Sequence, residues 1–196
     1  MTIQEQFGHI DIYLFDQILR GNIPPGSRIV DAGCGGGRNL MYFLRGGYDV
    51  YGADMDSRGI ESLRRATGSP DRFRVEAVEA MSFPDAFADV VLSSAVLHFA
   101  RDDEQFLAML RSSWRVLRPG GLFFCRLAST IGMEGRFRPL GGRRFQLLDG
   151  SDRYLVDEPL LMTLTDQLGG KLVDPLKTSV VQGARCMTTW VVRKIL

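Results

Sequence analysis

The chain has 196 residues, 45% apolar and 24% charged, with a formal net charge of +1. That length supports one domain with a substantial core, and the near-zero charge removes any bulk electrostatic case for nucleic acid or an anionic membrane as partner. No apolar run reaches membrane-spanning length, the N-terminal MTIQEQFGHIDIY lacks the marks of a secretory signal, and three scattered cysteines with two histidines predict a cytoplasmic protein with no disulfide framework and no metal site.

Short apolar runs alternate with helix-length amphipathic ones. IDIYLFDQILR (10–20) reads as a helix stopped by NIPPG. A buried strand at 28–31 is followed by a helix at 38–45, a second strand at 49–54 and a helix at 57–66 with Ser57 as its N-cap. The third strand is expected at 73–78 and the fourth within 88–96. Phe106, Leu110, Trp114 and Leu117 recur at helical spacing in 102–117, and Arg118-Pro119-Gly120-Gly121 ends that helix before a fifth strand at 122–128. A helix near 158–168 precedes runs at 171–181 and 185–194, separated only by QGA. So short a link cannot make a parallel crossover, so these two runs pair antiparallel, with Pro175 suited to an edge. The expected fold is α/β: a Rossmann-like three-layer sandwich with a mostly parallel seven-stranded sheet and a C-terminal antiparallel hairpin. It forms a single domain over 1–196, with an N-terminal helical arm (1–27) and a substrate-side insertion (128–157).

VDAGCGGGRN (30–39) lies between the first strand and the first crossover helix, where open α/β sheets bind ligands. Its glycines permit positive φ and remove side chains from the ligand's path, while amides at the helix start can face a polar group. Gly37-Arg38-Asn39 stands where a P-loop needs Gly-Lys-Ser/Thr. Neither frame of a dinucleotide fingerprint fits, because Arg38 or Leu40 takes the place of the third glycine. What remains is D-x-G-x-G-x-G over Asp31, Gly33, Gly35 and Gly37.

That pattern resembles motif I of the class I S-adenosylmethionine (SAM)-dependent methyltransferases. YGADMD (51–56), VEAMSFPDAFADVV (78–91), LSSAVLHF (92–99) and WRVLRPGGLFF (114–124) resemble later family segments in the right order. The compact chain and its IDIYLFDQ helix loosely resemble the tellurite-resistance-type, small-molecule branch. The resemblance implies a cofactor site for SAM, and for its product S-adenosylhomocysteine (SAH), at Asp31, Ala32, Gly33, Cys34, Gly35, Gly37, Asp54, Met55, Glu79, Ala80 and Ser94. Asp54 would grip the ribose diol, Met55 would lie over adenine, and Asp31 would orient the loop or reach the ammonium through water. Glu79 is preferred to Glu76 for the adenine contact because its spacing to Phe83-Pro84 matches the family.

The methyl acceptor is expected to be a small molecule. SSAV (93–96) replaces the [DN]PP[YFW] tetrapeptide of enzymes that methylate amino groups of bases and glutamine. His98, after the fourth strand, is a candidate general base for a hydroxyl or amine acceptor, or an ordinary structural histidine. Phe7, His9 and Tyr13 lie on an arm that closes over SAM or packs on the sheet. Arg126, Arg138, Arg143 and Arg144, with Tyr13, are candidate substrate residues for an anionic acceptor, and the alternative for their segment is a solvated lid. GRRFQLLDGSDRY (142–154) reads as a hairpin turning at Asp149-Gly150. Two rivals remain: a non-catalytic SAM-binding sensor or partner subunit, and a nicotinamide-dependent oxidoreductase.

Overall fold

A computed structural model describes Thr2 to Ile195. Two short helices, α1 (Ile3–Phe7) and α2 (Ile12–Leu19), precede β1 (Arg28–Ala32), α3 (Met41–Arg45), β2 (Asp49–Asp54), α4 (Ser57–Thr67) and β3 (Phe73–Val75). Then come β4 (Ala88–Ser94), α5 (Asp103–Val116) and β5 (Leu117–Ala128). The insertion holds β6 (Arg138–Gly141), β7 (Arg144–Gln146) and β8 (Asp152–Tyr154), and the chain closes with α6 (Glu158–Gln167), β9 (Gly170–Leu172), β10 (Lys177–Val181) and β11 (Arg185–Lys194).

The main sheet runs β10-β11-β5-β4-β1-β2-β3, with β9 also paired to β11. β1 to β5 are mutually parallel, while β11 is antiparallel to β5, β9 and β10. Side chains of a strand alternate between faces, so neighbouring residues feed different cores. In β5, Phe123, Cys125 and Leu127 join Phe106, Leu110, Trp114, Leu161 and Trp190 under α5 and α6. Leu122 and Phe124 join Leu14, Phe43, Ile60 and Leu63 under α2, α3 and α4. Helices therefore cover both faces of a mostly parallel sheet, the expected three-layer sandwich.

The sheet has eight strands where seven are expected, because the run 171–181 breaks into β9 and β10. Pro175 has no N–H for a ladder, and the buried Asp174 turns inward to accept Gln17 Nε2 at 2.8 Å and Arg20 at 2.5 Å from α2. Asp56, not Ser57, caps α4, accepting the Arg58 N–H at 3.1 Å. The third strand is three residues long, because 78–80 winds into a 3-10 turn. Arg118 to Gly121 belongs to the irregular start of β5, where the register with β4 shifts between Ala88 and Val90. The first crossover helix begins at Met41, since 35–40 forms successive turns.

The insertion is a folded unit. β7 and β8 make the expected hairpin, with Asp149 accepting from Ser151 N at the turn, and β6 adds a third antiparallel strand. Met133, Phe137, Leu147 and Leu155 form a small core of their own with Ala128 and Cys186. Among the described residues no helix is long and apolar enough to cross a membrane.

Candidate active site

The strand order reverses between β1 and β4, the place where open α/β sheets form a crevice beyond their carboxyl ends. A cleft of about 660 Å³ opens there, lined by Gly33 after β1, Asp54 and Met55 after β2, Glu79, and Ala95 and Val96 after β4. Its size is that of a small-molecule site.

The glycine loop is held in shape by its own amides. Gly33 N and Cys34 N donate to Ala53 O at 2.8 and 3.1 Å, Gly35 N donates to Asp54 Oδ2 at 2.7 Å, and Gly37 N donates to Cys34 O at 2.8 Å. These four donors are spent inside the protein, so the loop contributes chiefly shape, contrary to the expectation that its amides face a ligand. Gly33 and Gly37 have φ of +89° and +81°, and a Cβ there would run into Val96 and Leu63 respectively. Gly59 in α4 went unnoticed in the sequence: a Cβ on it would collide with the backbone of Gly35 at 2.8 Å, so α4 packs directly on the loop.

Asp54 is fastened at both oxygens, accepting Gly35 N and, at 2.8 Å, Asp56 N. Its carboxylate is thereby fixed at the mouth of the cleft. Asp31 sits behind it, only 2% exposed, and accepts no hydrogen bond among the described residues. Burial first, and then the Asp54 charge, push its carboxyl up to about 7, against a smaller pull from Arg38. Glu79 lines the cleft and accepts Gln105 Nε2 at 2.8 Å, whereas Glu76 is tied to Ser82 N and Oγ. Met55 is 74% exposed over the opening.

Other expected cofactor residues lie differently. The Cys34 side chain points into the core against Gly52, and burial raises its thiol pKa further above neutrality, which suits packing and not nucleophilic chemistry. Ala32 is buried in β1, and Ala80 is exposed on the 3-10 turn. Ser94 Oγ donates at 3.2 Å to Asp11 Oδ2 instead of facing the cleft.

That contact belongs to a buried cluster the sequence did not reveal. Asp11 caps α2, donates its N–H to Asn39 Oδ1 at 2.9 Å, and accepts Arg126 at 3.1 Å. Its partners are 28, 83 and 115 residues away, so no local pattern signals them. The cluster pins the N-terminal arm to the carboxyl ends of β4 and β5. Tyr13 follows suit: its hydroxyl meets Ser179 and its ring lies 5.2 Å from the Arg126 guanidinium. Phe7 stacks on Tyr42 of α3, and His9 is exposed. The arm packs on the sheet and α3, and none of these three residues lines the cleft.

His98 lies in a 3-10 turn, Leu97–Phe99, with the residue 5% exposed. Its Nδ1 accepts the Ala128 N–H at 3.1 Å. A backbone amide can only donate, so Nδ1 is bare and the ring proton resides on Nε2. Burial, with repulsion from Arg153 and Arg126, brings its pKa down to about 4. The neutral ring thus presents a donor where a general base needs an acceptor, and the base expectation loses its geometric footing.

His98 lines a second cavity of about 230 Å³, which shares Ala95 with the larger cleft. Arg38, Arg126, Arg153 and Arg185 also line it. Of the arginines singled out in the sequence, only Arg126 is there. Arg143 pairs with Asp157 at 2.9 Å, Arg144 donates to Ala100 O at 2.9 Å, and both line a separate surface hollow, while Arg138 is exposed on β6. Ala95 itself has φ +65°, a left-handed conformation sparsely used outside glycine, held by its N–H donating to Arg126 O at 2.7 Å.

Comparison with known proteins agrees with this architecture. Residues 30–125 match a family model described as a methyltransferase domain. A ubiquinone biosynthesis O-methyltransferase of Cereibacter sphaeroides is 34% identical over 115 residues, 57% of this chain and 45% of that protein. A malonyl-[acyl-carrier protein] O-methyltransferase of Serratia marcescens is 32% identical over 145 residues, 74% of this chain and 53% of that protein. The chain thus spans about half the length of these curated relatives. The crystal structure of a SAM-dependent methyltransferase from Methanosarcina mazei superposes with a TM-score of 0.74 at 20% identity, covering 91% of this chain and 97% of that one, which establishes the shared fold. The matched segment runs from the glycine loop through β5 and is similar to a methyltransferase domain, and the chain shares the fold of the solved SAM-dependent methyltransferase.

Proposed function

We propose that this protein binds SAM in the larger cleft and transfers its methyl group to a small-molecule acceptor in the adjoining cavity. The observation that carries the reading is the pair of carboxylates, Asp54 and Glu79, lining one 660 Å³ cleft together with Gly33 of the glycine loop. Vicinal hydroxyls and exocyclic amines need acceptors, and these two side chains supply them. The volume, the acceptors and the bare backbone at Gly33 all fit an adenosyl amino acid. In this reading Asp54 takes the ribose hydroxyls, Glu79 the adenine side, Met55 covers the base, and the buried Asp31 draws the ammonium end toward the loop.

Bound SAM supplies an electrophilic methyl carbon on a positively charged sulfur. A lone pair on the acceptor forms the new bond while the carbon–sulfur electrons return to sulfur, leaving SAH; a proton on the accepting atom, where there is one, departs to solvent. The protein's part is alignment of the two ligands and exclusion of water, which need no nucleophilic side chain. His98, whose Nδ1 lone pair is taken by the Ala128 amide, favours an acceptor that requires no strong base. The absence of a membrane-length helix among the described residues, together with the three free buried cysteines, supports a cytoplasmic setting.

Calorimetric titration with SAM and SAH tests the cofactor half. Binding of both at micromolar concentration is the expected result, and binding of NADH alone would return the fold to the oxidoreductase reading. Radiolabelled methyl transfer to a panel of small acceptors tests the other half. Tight SAM binding without transfer to any of them is what the sensor alternative predicts.

A further inference from the structure

The cavity beside the cleft has a composition the methyl-transfer reading does not require. Four guanidiniums line it, from the glycine loop (Arg38), β5 (Arg126), β8 (Arg153) and β11 (Arg185), against a single lining carboxylate, Asp149. Arg126 is answered by Asp11. Among the described residues Arg38, Arg153 and Arg185 form no ion pair within 4 Å. Positive charges brought together from four distant segments repel one another, and a fold keeps them close when something negative is to be held between them.

Two further observations point inward. Arg126 Nε is buried without any hydrogen-bond partner, although buried guanidinium donors are normally satisfied. His98, with Nδ1 occupied by the Ala128 amide, has only its Nε2 proton to offer a ligand. A neutral donor and a set of fork-shaped cations together suit an oxyanion, which accepts at every oxygen.

We propose that this cavity holds an oxyanion group, a carboxylate or a phosphate, carried by the methyl acceptor, and that Arg153 and Arg185 determine that specificity. The proposal rests on the methyltransferase reading only in naming the ligand an acceptor; the oxyanion site stands on its own residues. The cavity is small beside the ~300–1,000 Å³ of typical ligand sites, so it encloses the charged end of a compact molecule. Ala95, common to both spaces, marks the side on which the accepting atom would meet the methyl group. Phe99 reinforces the arrangement, lining the larger cleft while the Arg153 guanidinium lies 4.7 Å from its ring.

The test is calorimetry on SAH-loaded protein with benzoate, inorganic phosphate and the neutral isostere benzamide. Benzoate or phosphate should bind at millimolar concentration or below, whichever is preferred identifying the oxyanion, and benzamide should bind at least tenfold more weakly. Arg153→Gln with Arg185→Gln should weaken the anion at least tenfold, leave SAH affinity within twofold, and raise the KM of a charged acceptor far more than it lowers kcat. If that pair does not fold, the parent's anion affinity must still fall steeply with added salt. Equal binding of benzamide, failure of both anions, unaltered anion affinity in the double variant, or salt-insensitive binding would overturn the proposal. Anion binding to a protein that takes neither SAM nor SAH would keep the oxyanion site and discard the methyl-transfer reading.

Discussion

The glycine loop and the arginine cavity meet at Ala95, yet they are assembled by opposite means. The loop is one continuous segment whose glycines and amides are held by neighbours from β2 and α4, among them the Asp54 carboxylate. The cavity draws its cations from the loop, β5, β8 and β11, and three of them have no ion-pair partner among the described residues. The first leaves no room for a side chain at Gly33 and Gly37; the second is a cluster of positive charge. Mutations should therefore separate the two halves, steric changes breaking one and charge changes the other.

The largest effect is expected at the loop. Gly33→Val adds strain at φ +89° and drives a branched side chain into Val96. Backbone strain of ~1–3 kcal/mol with overpacking of ~1–3 kcal/mol gives about 2–6 kcal/mol of destabilisation, measurable as a lowered urea midpoint. An unaltered midpoint would remove the claim that the loop is sterically closed.

The two halves also answer pH with opposite sign. Asp31, raised to about 7, is neutral when folded across a range where the unfolded chain is ionised. Its contribution is full below the unfolded carboxylate value near 4 and is lost as pH rises to about 7. His98, lowered to about 4, contributes above its unfolded value near 6.5 and loses that contribution as pH falls toward 4. Either limb has a ceiling of about 4 kcal/mol, since one pH unit corresponds to 1.36 kcal/mol. Thermal unfolding from pH 4 to 8 should show Asp31→Asn abolishing the loss on the alkaline side and His98→Gln the loss on the acid side. Parallel profiles for parent and both variants would mean that neither group is buried as described.

At the cofactor end, Asp54→Ala removes a charged acceptor from the cleft and frees the amides of Gly35 and Asp56. The loss of about 1.5–3 kcal/mol should appear as a roughly 10- to 100-fold rise in the Kd for SAM by calorimetry. Asp54→Asn should lose less, because it keeps one oxygen for Gly35. The smallest effect is expected at the arginines that face away. Arg143→Gln breaks a half-exposed pair with Asp157, a contact worth about 0–1 kcal/mol, and should leave acceptor KM within twofold. A large KM change there would place acceptor recognition on the insertion's outer hollow instead of the cavity.

Much of the cofactor half was legible because its parts are close in sequence. Asp31 and the glycines stand within seven positions, and Asp54 ends the very next strand, so pattern and strand order placed them together. Preference for Glu79 over Glu76 came from the family-like spacing to Phe83-Pro84, and the structure gives Glu76 to Ser82 and Glu79 to the cleft wall. Proximity in sequence misled where side-chain direction mattered. Cys34 and Ser94 sit beside the site, but one points to the core and the other to Asp11. Of the arginines singled out along 126–144, Arg126 lines the cavity, Arg143 and Arg144 line an outer hollow and Arg138 is exposed on β6.

Alternating apolar periods determined from sequence alone that strands and helices alternate, hence a mostly parallel sheet with a crevice at its carboxyl ends. The family resemblance pointed to Gly33, Asp54 and Glu79, which line that crevice. Only the tertiary structure decided which cations gather at Ala95, that His98 surrenders Nδ1 to a backbone amide, and that Asp11 ties the arm to Ser94 and Arg126. Each of those contacts joins residues at least 30 positions apart in sequence. Local propensity acts over a few residues; contacts of that span exist only once the sheet has closed the distance between them.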